Sequence, residues 1–326
     1  MAAPRTVKGD PDNTGRVKVV CMKNKMWVIA VGASLAVGAF AQQVPDTAFA
    51  PPIPNPMYQA AKGPVVLLDE AHFNFHTADG RYQPFAALLR RDGYDVRASK
   101  LAFSKASLKD AKILVIANAL AERNKTEWTL PTPPAFTGDE VRFVSDWVKA
   151  GGSLLLIVDH MPFPGAAENL ARVFGIRFSN GYAIDPNVQG PMLFKPENGS
   201  LNAHAIVNGR TESEKVDSVA TFTGSAFQAD GDVQPLLVLG PSVVSAITTT
   251  AGEITKETLR VPVNGWFQGA VMRFGKGRVA VFGEAAMFSA QLAGPNKNPM
   301  GMNAPIASKN PQFLLNLMHW LSGKLN

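Results

Sequence analysis

The chain has 326 residues, 32 Lys and Arg against 26 Asp and Glu, a formal net charge of +6 and a single cysteine. Residues 1–41 hold six of those basic residues and two of the acids, so 26 basic and 24 acidic residues remain beyond them. No Lys/Arg cluster is left that could track phosphates, which sets nucleic acid aside as a partner, and one cysteine cannot build a disulfide framework.

The first 41 residues read as a leader. Lys23 and Lys25 precede an apolar core, Trp27–Val37, and Ala39-Phe40-Ala41 forms an A-x-A cleavage site. That order predicts a secretory signal peptide and a mature, periplasmic or secreted chain starting at Gln42. The apolar stretch, about a dozen residues, falls short of the ~20 a membrane span needs, so no stable membrane insertion is expected after cleavage; a retained anchor is the alternative. Met22 stands where a signal peptide would begin, leaving 1–21 as an extension or a mis-assigned start. Cys21 lies upstream of the cleavage, so the exported protein is expected to hold no thiol. A mature length of roughly 285 residues must then rest on an ordinary hydrophobic core.

Residues 42–62 are rich in Pro and Ala and predict an extended lead-in, followed by one α/β domain over 63–326. Val65–Leu68 reads as a strand and Tyr82–Arg91 as a helix stopped near Gly93. Asp95–Ser99 and Ile113–Ala117 read as further strands. Thr137-Gly138-Asp139-Glu140 has capping-box spacing and opens a helix with an apolar stripe of Val141, Phe143, Val144, Trp147 and Val148, ended by Gly151-Gly152. Leu154–Val158 follows as a buried strand, then a short helix around Glu168–Phe174. Residues 176–232, rich in Gly, Asn and Pro, predict a loop-rich insertion. Strands resume at Leu236–Leu239 and Val243–Thr248, and Gly269–Phe274 and Arg278–Phe282 flank a hairpin turn at Gly275-Lys276-Gly277. A last helix is predicted with Asn310 as cap and Pro311 at its first position. The alternation predicts an α/β fold with a mostly parallel, doubly wound sheet and an antiparallel edge.

Strand ends concentrate the polar chemistry. The first strand runs into Asp69, Glu70, His72, Asn74 and His76, the third into Asn118, the next into Asp159 and His160, and a late one into Glu284. Open α/β sheets bind ligands at the carboxyl ends of their strands, and buried acids and imidazoles are costly without partners. His72, His160, Asp69, Asp159 and Glu284 are therefore the candidate catalytic residues. Glu70, Asn74, His76, Arg81, Asn118, His204 and Ser225 are the candidate ligand-binding residues. His with carboxylate suits a divalent ion, for which His72, His76, Asp159 and His160 are the candidate ligands, though the spacing forms no compact metal motif. Plainer roles exist for each: Asp69 or Asp159 binding turn amides, His76 packing before a turn, Glu284 pairing with Arg81, His204 as a loop residue. His319, on the last helix, reads as structural, and the sequon Asn198-Gly199-Ser200 is discounted behind a bacterial-type leader.

The stretch Leu67-Leu68-Asp69-Glu70-Ala71-His72-Phe73-Asn74-Phe75-His76-Thr77-Ala78-Asp79-Gly80-Arg81-Tyr82 resembles the opening motif of an uncharacterised bacterial family with a class I glutamine amidotransferase-like domain. His204-Ala205-Ile206-Val207-Asn208-Gly209-Arg210 and Gly283-Glu284-Ala285-Ala286-Met287-Phe288 are similar to later motifs of that group, and the resemblance covers most of 63–322. It implies a flavodoxin-like sheet but no agreed activity. Amidotransferases need a cysteine at a strand-to-helix elbow and a later His-x-Glu, and this chain has neither. There is also no G-x-S-x-G elbow, Walker loop, H-E-x-x-H or G-x-G-x-x-G after the first strand. Two functions stay open: an exported, hydrolase-like enzyme using Asp, Glu and His in acid–base or metal-assisted chemistry, or a non-catalytic periplasmic module that binds a polar or sugar-like small molecule.

Overall fold

The computed structural model describes residues 43–326. The expected signal peptide, its cleavage after Ala41, Met22 and Cys21 lie outside the described residues. The elements around the main sheet are, in chain order, β1 (Val65–Asp69), α1 (Gln83–Arg91), β2 (Asp95–Ser99), β3 (Ile113–Ala117), α2 (Gly138–Lys149), β4 (Ser153–Ile157), α3 (Phe163–Arg172), β5 (Ile176–Phe178), β6 (Phe227–Ala229), β7 (Val233–Val238), β8 (Phe267–Phe274), β9 (Gly277–Phe282) and α4 (Asn310–Leu321). The sheet runs β2-β1-β3-β4-β9-β8-β6-β5, with β7 also paired to β8. Its first five strands are parallel, in the order of a flavodoxin-like doubly wound sheet, with the topological switch between β1 and β3. The remaining strands add the antiparallel edge.

Both faces of the parallel part are covered, which is why β3 and β4 are apolar at nearly every position rather than at alternate ones. Val115, Ala117, Leu155 and Ile157 pack with Phe85 and Leu89 of α1 and Phe313 and Leu317 of α4. Their neighbours Leu114, Ile116, Leu154 and Leu156 pack on the other side with Val144 and Val148 of α2 and Leu170 of α3. Alternate residues of one strand thus build two cores, each fully buried Leu or Phe contributing roughly 2 kcal/mol.

Helix α2 starts as its sequence predicts. The Thr137 hydroxyl accepts the Glu140 amide at 3.3 Å, and Glu140 Oε2 accepts the Thr137 amide at 3.0 Å. Past its end, Gly152 lies under the Trp147 ring, where any Cβ would collide with the indole. Between β8 and β9 the register pairs Phe274 with Gly277, leaving Gly275-Lys276 as a two-residue turn.

Three elements differ from expectation. Helix α3 spans Phe163–Arg172 and so begins before the expected start near Glu168; Pro164 sits in its first turn, where a missing N–H breaks no helical bond. Residues 176–232 carry five short strands, two of which, β5 and β6, belong to the main sheet; three-residue strands are too short to show a period. Asn310 is not the cap of α4. Its side chain binds both backbone groups of Ala220 (2.8 and 3.0 Å) and the Met287 carbonyl, tying the helix start to two distant segments. Among the described residues no helix is long and apolar enough to cross a membrane.

Candidate functional site

Register brings the strand ends together. Ala117 of β3 lies opposite Ile157 of β4, which lies opposite Phe282 of β9. The chain therefore leaves all three strands at one level, and Asn118, Asp159 and Glu284 follow within two residues. The pairing continues past the strands, with the Asn118 amide donating to Ile157 and the Val158 amide to Phe282 (2.9 and 2.8 Å). Asn118 turns the chain with a left-handed backbone, φ 51°, a conformation Asn adopts more readily than other side-chain-bearing residues.

A cavity of about 110 Å³ opens at this edge, lined by His76, Asn118, Asp159, His160, Thr223 and Gln291 among polar residues and by Phe75, Trp128, Phe163, Tyr182 and Met300 among apolar ones. Gln43, the first described residue, also lines it. The His160 ring stacks on Tyr182, centroids 4.2 Å apart. Its Nδ1 is 2.8 Å from the Met161 carbonyl, which can only accept, so the proton of the neutral ring sits on Nδ1 and Nε2 carries the lone pair. Asp159 Oδ1 is 3.9 Å from that Nε2 and accepts the His160 amide at 2.7 Å; its other oxygen accepts the Ala285 amide at 3.3 Å.

The second imidazole is held in the complementary state. Asn118 Oδ1 accepts the Asp159 amide at 2.9 Å, which turns its Nδ2 toward His76 Nδ1 at 3.2 Å. That nitrogen must accept, so the His76 proton sits on Nε2. Complete burial, and then the positive charge of Arg81, lowers the His76 pKa to about 3. His76 is thus a neutral hydrogen-bond donor. The Arg81 guanidinium lies 3.8 Å over the Phe75 ring.

Glu284 is fully buried and does not line the cavity. Its oxygens accept the amides of Ala286 and Met287 at 2.8 and 2.7 Å. Burial, and then the neighbouring Asp159, push its pKa well above the ordinary carboxylate range against those amides. It does not pair with Arg81.

The remaining predicted residues sit apart from the cavity wall. His72 does not line it: Nδ1 faces Asp69 at 2.9 Å, Nε2 faces Glu140 at 2.9 Å, and the ring lies between Phe103 and Phe136. Asp69 also accepts the Ala71 amide, and Glu70 accepts the Ala78 amide. Asn74 accepts the His72 amide and reaches the Ala117 carbonyl, closing the loop over the switch point. Ser225 donates to the Val158 carbonyl at 2.7 Å. His204 caps the short turn Ala205–Asn208 and binds Gln234, lining a separate depression with Arg273 and Trp320. His319 binds Asp92 at 2.7 Å in the core. Among the described residues no three His, Cys, Asp or Glu side chains converge on a point that could hold a metal ion. The four metal candidates are divided, with His72 occupied by two carboxylates.

Sequence reasoning missed Thr223, Gln291, Tyr182 and Trp128. Thr223 had a signal, the hydroxyl-bearing Thr221-Phe222-Thr223-Gly224-Ser225. The others follow no apolar run that would have marked a strand end.

No protein-family model and no curated protein matches the chain. Solved structures do. The N-terminal domain of mmIFT52 aligns with a TM-score of 0.52 at 14% identity, covering 79% of this chain and 97% of that one. A cytoplasmic protein from Salmonella typhimurium LT2 gives 0.48 at 15% identity over 79% and 98% of the two chains. A protein described as ThuA-like, from Bacteroides uniformis ATCC 8492, gives 0.46 at 15% identity over 83% and 95%. At 14% identity the likeness to the first of these is one of fold alone, a mixed α/β architecture around a largely parallel sheet.

Proposed function

We propose that the protein is a hydrolase-like enzyme, exported after removal of its leader, that works on a small polar substrate at the carboxyl edge of the sheet. One observation carries the reading: two imidazoles line one cavity in opposite hydrogen-bonding states, His160 presenting an Nε2 lone pair and His76 an Nε2–H. In this mechanism His160 takes a proton from water as it attacks, and Asp159, 3.9 Å away, stabilises the imidazolium that forms. His76 donates to the oxygen on which negative charge develops, and its low basicity keeps it a donor that does not ionise. His160 then returns the proton to the leaving group. Asp69, His72 and Glu284 lie outside the cavity lining and take no step in this mechanism.

The test is turnover of a panel of chromogenic esters, amides and glycosides by the wild type, His160→Ala and His76→Ala. Hydrolysis of at least one class, falling about 10²- to 10⁴-fold in His160→Ala with the fold retained, is the expected result. Turnover unchanged by both substitutions overturns it. The aromatic walls of Phe75, Trp128, Phe163 and Tyr182 favour a second reading, a module that binds a polar small molecule without transforming it; ligand binding with no turnover of any class identifies that case.

A further inference from the structure

Gln291 lies on the short strand Ala290–Ala293, which pairs with Val44–Pro45 on one side and Asn298–Gly301 on the other. It lines the cavity and is only 1% exposed. Ser289 fixes which way its amide points. The Ser289 hydroxyl has one proton and donates it to the Ala286 carbonyl at 3.1 Å, so toward Gln291 it can only accept. The 2.7 Å contact between the two side chains is therefore Gln291 Nε2–H donating to Ser289 Oγ. That leaves Oε1 as the other end of a planar amide, buried and without a hydrogen-bond partner among the described residues. A buried carbonyl oxygen is costly until a donor completes it, and native proteins rarely leave one so without a functional reason.

We propose that Gln291 is a specificity-determining residue of the cavity, its Oε1 accepting from an O–H or N–H of an uncharged, hydroxyl-rich ligand. The rest of the wall selects the same chemistry. Asp159 supplies carboxylate oxygens, His76 an Nε2–H, and Thr223 and Tyr182 hydroxyls that can donate or accept. A wall that carries a carboxylate repels an anion, and its mixture of acceptors, an N–H and hydroxyls is satisfied by a ligand that both donates and accepts. The aromatic faces of Trp128 and Tyr182 suit the apolar C–H surface that a polyol or sugar ring also presents. The assignment rests on the proposed function only for the expectation that this ligand is the substrate.

The experiment measures binding of glycerol and glucose, their O-methyl ethers, lactate and inorganic phosphate to the purified protein by calorimetry and ligand-observed NMR. The hydroxyl probes should bind, methylation should weaken them, and the anions should not bind. Gln291→Met, matched in length but lacking the acceptor, should weaken the hydroxyl probes about 10- to 100-fold and erase the discrimination against the ethers. His160→Ala removes a wall group as well as the proposed base, so absolute affinity can fall with turnover. The preference for alcohols over ethers, which Gln291 sets, should remain, and loss of turnover with that preference retained bears on the catalytic reading alone. Binding of lactate or phosphate in preference to glycerol and glucose, equal binding of ethers and parent alcohols, or no binding by either hydroxyl probe overturns the proposal. Should Gln291→Met fail to fold, the comparison of alcohols with ethers on the wild type decides the matter without it.

Discussion

His72 Nε2 lies 2.9 Å from Glu140 Oε1, although 68 positions separate them, and the same Glu140 closes the capping box of α2 through its other oxygen. With Asp69 on Nδ1, one imidazole ties the end of β1 to the start of α2. Burial alone would lower the His72 pKa, but the hydrogen bonds and charges of Asp69 and Glu140 together outweigh it and raise the value. The folded state therefore holds this proton to higher pH than the unfolded chain. Its stabilisation is complete below about pH 6.5 and is lost as pH rises through the folded value. His72→Ala should leave two buried carboxylates facing a hole, costing roughly 3 kcal/mol, while substrate binding by the protein that remains folded is little changed. Urea titrations across pH 5–9 check this. A variant as stable as the wild type, with binding abolished, would place His72 in the site after all.

His76 has the opposite sign. Its folded pKa lies near 3, below the ordinary 6.5, because burial and neighbouring positive charge disfavour the imidazolium. The unfolded chain binds the proton first, so stability present above pH 6.5 is lost as pH falls toward 3, by on the order of 5 kcal/mol at most. His76→Gln should flatten this acid limb of the stability profile. An NMR titration that finds His76 charged at pH 6 contradicts the assignment.

Strand positions were legible because each parallel strand is an apolar run that stops at a polar residue, as Ile113–Ala117 stops at Asn118. The capping box at Thr137 and Glu140 was legible because it is local. The role of His72 was not. An imidazole between two carboxylates reads the same in sequence as one beside a substrate, and only the fold brings Glu140 within reach. Gln291 was invisible for a related reason: its hairpin joins the cavity through pairing with Val44–Pro45, a contact across more than 240 positions. The short strands β5 and β6 lacked the length to show a period.

Gly224 faces the turn after β9. Its φ is 120°, and a Cβ there would collide with the Gly283 carbonyl and press on the Glu284 side chain. Gly224→Ala should therefore be destabilised by more than about 2 kcal/mol, or roughly 4–8 °C in Tm, and should displace Thr223 from the cavity wall. Calorimetry of the variant is the check. A Tm within a degree of the wild type would mean that the segment is free to move away from β9.

Asn118 decides the protonation of His76. Its Oδ1 is held by the Asp159 amide, so only an Nδ2–H can face His76 Nδ1. Asn118→Asp keeps the shape and the acceptor for Asp159 but replaces that donor with an oxygen. Two lone pairs cannot face each other across 3.2 Å, so the imidazole proton should move from Nε2 to Nδ1, and the new carboxylate should raise the His76 pKa. Nitrogen-15 shifts of the labelled imidazole distinguish the two tautomers directly. The expected result is an Nδ1–H ring in a folded protein whose turnover has fallen, because the oxygen acceptor in the cavity has lost its donor. An unchanged Nε2–H signal in Asn118→Asp would show that another group sets the tautomer, and with it the pairing of His76 and His160 on which the proposed mechanism stands would fail.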